Sequence, residues 1–574
     1  MAVISTIEAR CKDCYKCLRS CPVKAIRFVG DASKSQLHAQ VMPERCILDG
    51  TCLLACPQKA KRVRVDKDAV KALIGSGRPV IASLAPSFAG TFLRERQGRV
   101  IAAIRRLGFT RVEETSYAAE AVSAEHVRTL GGVIGPAITS SCPVIVNLVE
   151  MYYPEVIPHL APVVSPMVAH ARYIKMANPG AAVVFIGPCV AKKDEGERSG
   201  EVDAVLTFSE LSAWLREEHV DMEALDESEP DGPGPVAARL FPLDGGLLRT
   251  AALSTDVLSD EYRVISGIEN CMQFFDRLRA GDSRDNPLTM VEMMACTGGC
   301  ISGAGIQGCL PAVNASDRRQ AVIEYYREHA SDNRPAPEAV ELELRRGYKS
   351  RRPESLIPDE ITIRGILAQT GKLTSEDELN CGACGYGSCK EKAVAVFHGF
   401  ADLQMCIPFM RERAESLSNV VLGSTPNGVV VVDPTLHIVE MNRAAEAMFG
   451  CTKQKMAGRL LSDLIEPGNF ERVLESRRLL RVSVDYPQYS LSTDQSIFFV
   501  DRENLVIGIF VDRTDEEKRR SEAFRTRQSV VSRAQEVIDK QMKVAQEIAG
   551  LLGETTAETK VLLTKLMELM KKDE

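Results

Sequence analysis

The sequence predicts a multidomain chain of α/β and α+β units that ends in coiled-coil helices. Three observations predict it. The 574 residues are enough for about three to five domains. The eighteen cysteines gather into spaced blocks instead of scattering. The hydrophobic pattern also changes along the chain, from apolar runs alternating with helix-length segments, to a hairpin pattern, to a seven-residue repeat. A formal net charge of −7 gives no reason to expect nucleic acid. Cys11 is reached without an apolar leader segment, and the cysteine spacings suit metal ligation in a reducing compartment better than disulfides. No apolar run approaches the roughly 20 residues of a membrane span. The expectation is a cytoplasmic protein without membrane contact. The eight histidines show no paired spacing that suggests zinc.

Residues 1–66 carry two cysteine runs. Cys11, Cys14, Cys17 and Cys21 follow one another at spacings of two, two and three residues, and Pro22 comes next. Cys46, Asp49, Cys52 and Cys56 repeat that spacing before Pro57, with an aspartate at the second position. This pattern resembles the two-cluster bacterial ferredoxin, a ferredoxin-like domain in which the fourth cysteine of each run ligates the other cluster. The resemblance implies that Cys11, Cys14, Cys17 and Cys56 hold one 4Fe–4S cluster. Cys21, Cys46 and Cys52 hold the other, with Asp49 as candidate fourth ligand. A carboxylate is a harder ligand than a thiolate, so this cluster is a candidate to lose an iron and become 3Fe–4S. The other reading of Asp49 is a turn made with Gly50.

Residues 67–345 read as an α/β domain with parallel sheets. VIASLA, AAVVFIG, AVLTF and VEMMA are short buried-strand patterns separated by helix-length segments. Apolar, strand-like runs also precede its chemistry-bearing cysteines. Cys142 stands in TSSCP, Cys189 in PCVAKKDE, and Cys296 and Cys300 in EMMACTGGC. Strand ends of open α/β sheets are where ligands collect. Thiolates this close suit a polynuclear iron cluster, and the glycines after Cys300 let backbone approach a bulky ligand. The three stretches resemble the H-cluster domain of FeFe hydrogenases, whose motifs read roughly TSCCP, PCxxKxxE and ExMACxxGC. The resemblance covers about residues 79–325 and implies a two-lobed fold with the site between the lobes. It further implies that Cys142, Cys189, Cys296 and Cys300 bind a 4Fe–4S cubane. Cys300 would also bridge to a diiron subcluster carrying CO, cyanide and a dithiolate. Lys192 matches the lysine that hydrogen-bonds a cyanide. Ser87, in LAPSF, matches a segment beside the diiron site, and Met294 a methionine that packs near it.

The departures from the family pattern bear on activity. Ser141 stands where catalytic members carry a proton-shuttling cysteine, and a hydroxyl exchanges protons far less readily near neutral pH. An ungapped reading puts Ala121 and Ala124 where relay glutamates stand, with Glu125 one residue away. The usual triple glycine is Gly303-Ala304-Gly305. This pattern resembles the sensory branch of the family. Glu292 either orients Lys192 or caps backbone, and Cys271 and Cys309 read as buried small residues.

Residues 330–365 are charged and proline-bounded, and read as a connecting helix plus linker whose Arg and Lys groups form a solvated face. In residues 366–414, Cys381, Cys384, Cys389 and Cys406 resemble the small four-cysteine 4Fe–4S domain found beside redox enzymes and corrinoid proteins. Zinc is the rival occupant, and His398 reads as packing. Residues 415–515 resemble a PAS domain. GVVVVD and HIVEMN make a hairpin, Asn442 opens an amphipathic helix, and later strands end in DRTDE. His437 reads as an exposed strand residue, and the domain as a dimerising module without a cofactor. In residues 516–574, Phe524, Val531, Ile538, Ala545 and Leu552 recur every seven residues, the coiled-coil period. Gly553 breaks the repeat. Thr555 to Glu558 then reads as a capping box opening a second helix, with Leu562, Leu566 and Leu569 on one side.

Together these segments suggest a sensory FeFe hydrogenase. Dihydrogen is split slowly, electrons pass through the iron–sulfur clusters, and the PAS and coiled-coil module signals to a partner such as a phosphatase or kinase, as a homodimer. The alternatives are a turnover hydrogenase linked to ferredoxin, and an iron–sulfur redox sensor without hydrogen chemistry. Ser141, Lys192 and Cys300 are the residues on which the chemistry would turn.

Overall fold

The computed structural model describes residues 2–30, 38–92, 97–133, 135–232, 237–253, 260–281, 288–309, 313–329, 342–354, 356–501, 503–552 and 556–570. The chain divides into two compact units, Met1–Phe409 and Met410–Glu574.

The N-terminal segment repeats one small motif twice. Each cysteine run turns into a five-residue helix, Lys16–Ser20 and Thr51–Ala55. Two antiparallel strand pairs flank these helices: β1 (Ile4–Thr6) with β4 (Lys61–Val63), and β2 (Ile26–Val29) with β3 (His38–Val41). Ile4, Leu18, Ile26 and Ile47 are its buried apolar anchors.

Two parallel sheets follow. The first has the order β6 (Arg111–Glu114), β5 (Val80–Leu84), β8 (Ala182–Gly187) and β9 (Ala204–Thr207). The second joins β10 (Tyr262–Ser266), β11 (Met290–Met294) and the two-residue β7 (Ala137–Ile138). Every residue of β5, β8, β9 and β11 is buried, as near-continuous Val, Ile and Ala runs require when helices cover both faces. The four strands read from the sequence are all present. β6 was not legible because its sequence, RVEE, is polar. Its Glu114 is buried against Arg239 at 2.7 Å, an ion pair that permits a carboxylate inside the core.

In the segment after this domain Arg345, Lys349, Arg351 and Arg352 are exposed, as expected of a solvated face, but the arginines are also tied down. The connecting helix expected there falls largely on 330–341, outside the described residues. Residues 342–352 run as an extended strap, and their arginines are paired. Arg351 Nε donates to Glu150 Oε2 at 2.7 Å and its Nη2 to Asn147 Oδ1 at 2.6 Å. Arg352 meets Glu155 at 3.2 Å and Arg346 meets Glu195 at 3.9 Å. Buried carboxylates on the domain surface recruit these side chains, a tertiary effect that charge composition does not reveal. The helices Glu360–Ala368 and Cys389–Phe397 then form a small four-cysteine lobe that docks on the N-terminal segment. There Phe28 N donates to Phe400 O, and Arg19 Nη1 to Ala383 O.

The second unit holds a five-stranded antiparallel sheet, β13 (Ile438–Met441), β12 (Gly428–Val432), β16 (Leu505–Asp512), β15 (Leu491–Val500) and β14 (Leu480–Tyr486). The expected hairpin is β12–β13, and Asn442 caps the next helix by accepting from Ala445 N at 3.0 Å. β14 was missed, since only its last residue is fully buried. A 39-residue helix, Thr514–Leu552, leaves the sheet and carries the seven-residue repeat, with Phe524 and Val531 exposed. A second helix follows at Thr556–Met570. Gly553 and Thr555, the expected break and cap, lie outside the described residues. Among the described residues no helix is long and apolar enough to cross a membrane.

Candidate iron–sulfur and active site

The three cysteine motifs of the central domain converge because parallel strands put their carboxyl ends on one edge. β7 leads to Cys142, which N-caps the helix Pro143–Tyr152 with Pro143 at its first position. β8 ends at Gly187, and Cys189 follows in the turn before the helix Ala191–Ser199. β11 ends at Met294, two residues before Cys296, and Cys300 opens a short 3-10 turn. β8 belongs to one sheet, β7 and β11 to the other, so the site is assembled between the two.

The thiols lie close enough to perturb one another. Burial first, then Cys142, pushes the Cys189 thiol up to about 11. Burial, with Cys142 and Cys189, raises Cys300, and burial with Cys189, Cys300 and Cys142 raises Cys296 well above the usual thiol range. As free thiols Cys189, Cys296 and Cys300 hold their protons, so metal binding must displace them. Gly305 closes the cradle: its N–H donates to Pro188 O at 2.7 Å, and a Cβ there would lie 2.6 Å from that oxygen. Only glycine permits that approach of the third motif to the second.

Lys192, almost fully buried, donates to Glu195 Oε2 at 2.7 Å. Glu292 does not orient it. Its Oε2 accepts from Leu248 N at 3.0 Å, so the backbone-capping reading holds. Burial raises the Glu292 carboxyl to about 7. Ser87 follows the end of β5, whose Ala85 N–H bonds Ile186 O of β8, and so lies at the same sheet edge as Cys189. Its hydroxyl and that of Ser141 are buried without a hydrogen-bond partner among the described residues. Met294 is buried at the end of β11. Glu125 is buried on the helix Ser116–Arg128 and is taken up by Arg128 at 3.1 Å and Arg345 at 3.5 Å. Cys271 and Cys309 are packed in the core, as expected.

Two contributors escaped the sequence reading. His126, fully buried, accepts from Ser140 N at Nε2 (3.2 Å), and its Nδ1 lies 2.8 Å from Val122 O. Burial drops its pKa to about 4. It therefore holds the backbone just ahead of Ser141. Tyr348 donates to Val163 O at 2.7 Å, the carbonyl that also accepts from Ser140 Oγ. A histidine 14 residues before Ser140 carries no local signal, and neither does a tyrosine in a charged linker.

The N-terminal cysteines perturb one another in groups. Cys17 is raised by burial and by Cys11 and Cys56. Cys46, pushed up to about 12 by burial, also feels Asp49 and Cys21, and Cys52 feels Asp49, Cys46 and Cys21. Cys14 is exposed on the loop between Cys11 and Cys17. Asp49, raised by burial, takes a hydrogen bond from Thr51. The next residue, Gly50, has φ +77°, and a Cβ on it would overlap Ala304 Cβ at 2.4 Å. The second cysteine run is thus seated against the Cys300 loop, and Asp49 contributes to raising Cys296. Cys381, Cys384, Cys389 and Cys406 line one cavity together with Tyr386, Lys372 and Lys392. His398 stacks on Phe400 at 5.3 Å, as expected of packing. His437 is exposed. Among the described residues no group of three His, Cys, Asp or Glu side chains is set to hold a single metal ion.

The fold and these cysteine sets define an iron–sulfur protein built on a hydrogenase-type domain, and comparison with known proteins agrees. Residues 78–304 match the iron only hydrogenase large subunit, C-terminal domain. Residues 10–60 match a 4Fe-4S dicluster domain, 377–408 an Fe-S cluster domain and 418–483 the PAS fold. The chain is 25% identical over 389 residues to iron hydrogenase 1 of Clostridium pasteurianum, covering 56% of this chain and 67% of that one. It is 28% identical over 378 residues to the periplasmic Fe hydrogenase large subunit of Nitratidesulfovibrio vulgaris, covering 54% and 88%. A solved FeFe-hydrogenase from Chlamydomonas reinhardtii is 17% identical, covering 50% of this chain and 100% of that one, with a TM-score of 0.38.

Proposed function

We propose that this chain is a sensory FeFe hydrogenase of low turnover. The observation that carries this reading is a four-thiol cradle at the strand ends in which the residue before Cys142 is Ser141, with its hydroxyl buried and unpartnered. Cys142, Cys189, Cys296 and Cys300 would hold the 4Fe–4S cubane, and Cys300 would bridge to the diiron subcluster. That subcluster, with its CO, cyanide and dithiolate ligands, supplies the dihydrogen-splitting chemistry when bound. The residues present fit it: Lys192 acts on the Cys189 and Cys300 thiols, the Ser87 and Ser141 hydroxyls are buried and unpartnered, and Met294 is a buried apolar residue at the end of β11. Lys192, aligned by Glu195, would donate to a cyanide. Ser141 would hold a proton at its Oγ but release it slowly, since a hydroxyl is far less acidic than a thiol.

Electrons would leave through the Cys21, Cys46, Asp49 and Cys52 site seated beside the Cys300 loop, a 4Fe–4S or 3Fe–4S centre. The Cys11, Cys14, Cys17 and Cys56 site and the four-cysteine site complete the relay. Their redox state would reach a phosphatase or kinase partner through the PAS unit and its long helix, in a cytoplasmic homodimer. A ferredoxin-type protein is the redox partner.

Infrared spectra of anaerobically matured protein test this reading. CO and cyanide bands that shift under dihydrogen are expected, with slow turnover that rises at least tenfold in Ser141→Cys. Absence of those bands in protein with full iron and sulfide content would leave a redox sensor without hydrogen chemistry. Fast turnover in the unaltered chain would make it a turnover hydrogenase.

A further inference from the structure

The four-cysteine site differs from the other thiol clusters in its charge. Lys372 and Lys392 line the same cavity as Cys381, Cys384, Cys389 and Cys406, and both are buried, 8% and 6% exposed. Lys372 Nζ lies 3.4 Å from Cys406 Sγ. Lys392 Nζ donates to Leu403 O at 2.9 Å. Among the described residues neither ammonium is ion-paired with a carboxylate. Buried charges are retained where something of opposite sign meets them. Here the nearest such groups are the thiolates, with Asp402 and Asp377 as weaker neighbours of Lys392 and Lys372. Tyr386, 5% exposed, opens onto the same cavity with a hydroxyl that has no hydrogen-bond partner among the described residues.

The other sites carry less of this surplus: one buried lysine, Lys61, faces Cys17 and Cys52. The Cys21, Cys46 and Cys52 site contains a carboxylate, Asp49. Lys192, beside the Cys300 site, is neutralised by Glu195 at 2.7 Å. Reducing an iron–sulfur cluster adds negative charge. Cations and hydrogen bonds to its sulfurs stabilise the reduced form and raise its potential. The four-cysteine lobe also docks directly on the ferredoxin-like segment. Lys24, bonded to Leu18 O and Arg19 O, faces both Cys21 and Cys384, and Tyr386 faces both thiols as well.

We propose that the four-cysteine site is the electron sink of this chain, reduced before the ferredoxin-like clusters because Lys372, Lys392 and Tyr386 surround it. One electron leaves the Cys21, Cys46, Asp49 and Cys52 cluster, which is oxidised, and reduces the four-cysteine cluster. Cys406 immediately precedes the helix Ile407–Ser424, so the stored electron sits at the root of the segment leading toward the C-terminal unit. The inference rests on the iron–sulfur part of the proposed function and needs no hydrogen chemistry.

The test is a reductive titration of the full chain reconstituted with iron and sulfide alone, followed by electron paramagnetic resonance. Cys384→Ala identifies the signal of this site by its loss. That signal is expected to appear first on reduction. Lys372→Gln should shift its reduction equilibrium at least tenfold toward the oxidised form, about 59 mV for one electron. Tyr386→Phe should shift it in the same direction, and Lys372→Arg should restore it, with the other signals unmoved. A four-cysteine signal that appears last, or that neither Lys372→Gln nor Tyr386→Phe moves, overturns the inference while leaving the cluster reading intact. Zinc in place of iron at this site, by elemental analysis of Cys384→Ala against the parent, overturns both.

Discussion

His126 shows how one residue can govern a site it does not enter. Its neutral ring accepts from Ser140 N, and burial holds its pKa near 4. The unfolded chain binds this proton near the ordinary histidine value of about 6.5. The folded pKa is depressed, so this group weakens the fold as pH falls from about 6.5 toward 4. At pH 5.5 the loss is about 1.4 kcal/mol. The thermal midpoint of the metal-free protein should therefore fall between pH 7.5 and pH 5.5, and His126→Gln should narrow that difference. An equal fall in both proteins would show that His126 is not the titrating group. The same scale explains what was legible. Cys142, Cys189, Cys296 and Cys300 announce themselves by type and local spacing. His126 and Tyr348 act through contacts 14 and 185 residues away in sequence, on Ser140 and Val163.

The strap 342–352 is the element that most changes the picture drawn from sequence. Its arginines cover carboxylates that would otherwise be buried beside Asn147 and Glu150 on the helix capped by Cys142. Removing one member of such a set leaves the other desolvated without its partner. Arg351 is partly exposed and Arg198 still reaches Glu150, so the cost is roughly 1–2 kcal/mol. Arg351→Ala should lower the thermal midpoint of the metal-free protein and quicken protease cleavage within 342–352. Cleavage at the unaltered rate would show that the strap is held by its other contacts, at Leu344, Arg346, Tyr348 and Arg352. Strands followed a different rule. Val- and Ile-rich β5 and β8 were readable, whereas β6 spends two of its four residues on buried glutamates, one of which, Glu114, an arginine 125 positions later makes tolerable.

At the scale of the whole molecule the chain forms two compact units divided near residue 410. Cluster sites fall in the first, and the PAS sheet and long helix in the second. Phe524 and Val531 are exposed along a 39-residue helix, and an apolar seven-residue repeat finds its cover most readily in a second helix of the same kind. The full chain should sediment as a dimer, and Phe524→Glu with Val531→Glu should sediment as a monomer with unchanged iron content. A dimer that survives both substitutions would place the interface elsewhere.

The sequence by itself determined the kind of chemistry and its order along the chain: ferredoxin-like run, hydrogenase-type motifs, four-cysteine lobe, PAS pattern and heptad helix. Those signals are local, because ligand spacing and hydrophobic period are set by neighbours in the chain. Tertiary structure alone decided the pairings. It seated Gly50 against Ala304, gave Lys192 to Glu195 and turned Glu292 to backbone. It also wrapped a charged linker over the domain and enclosed two lysines with four cysteines. Charge and burial act through space, so the partner that makes a buried group tolerable can stand anywhere in the chain.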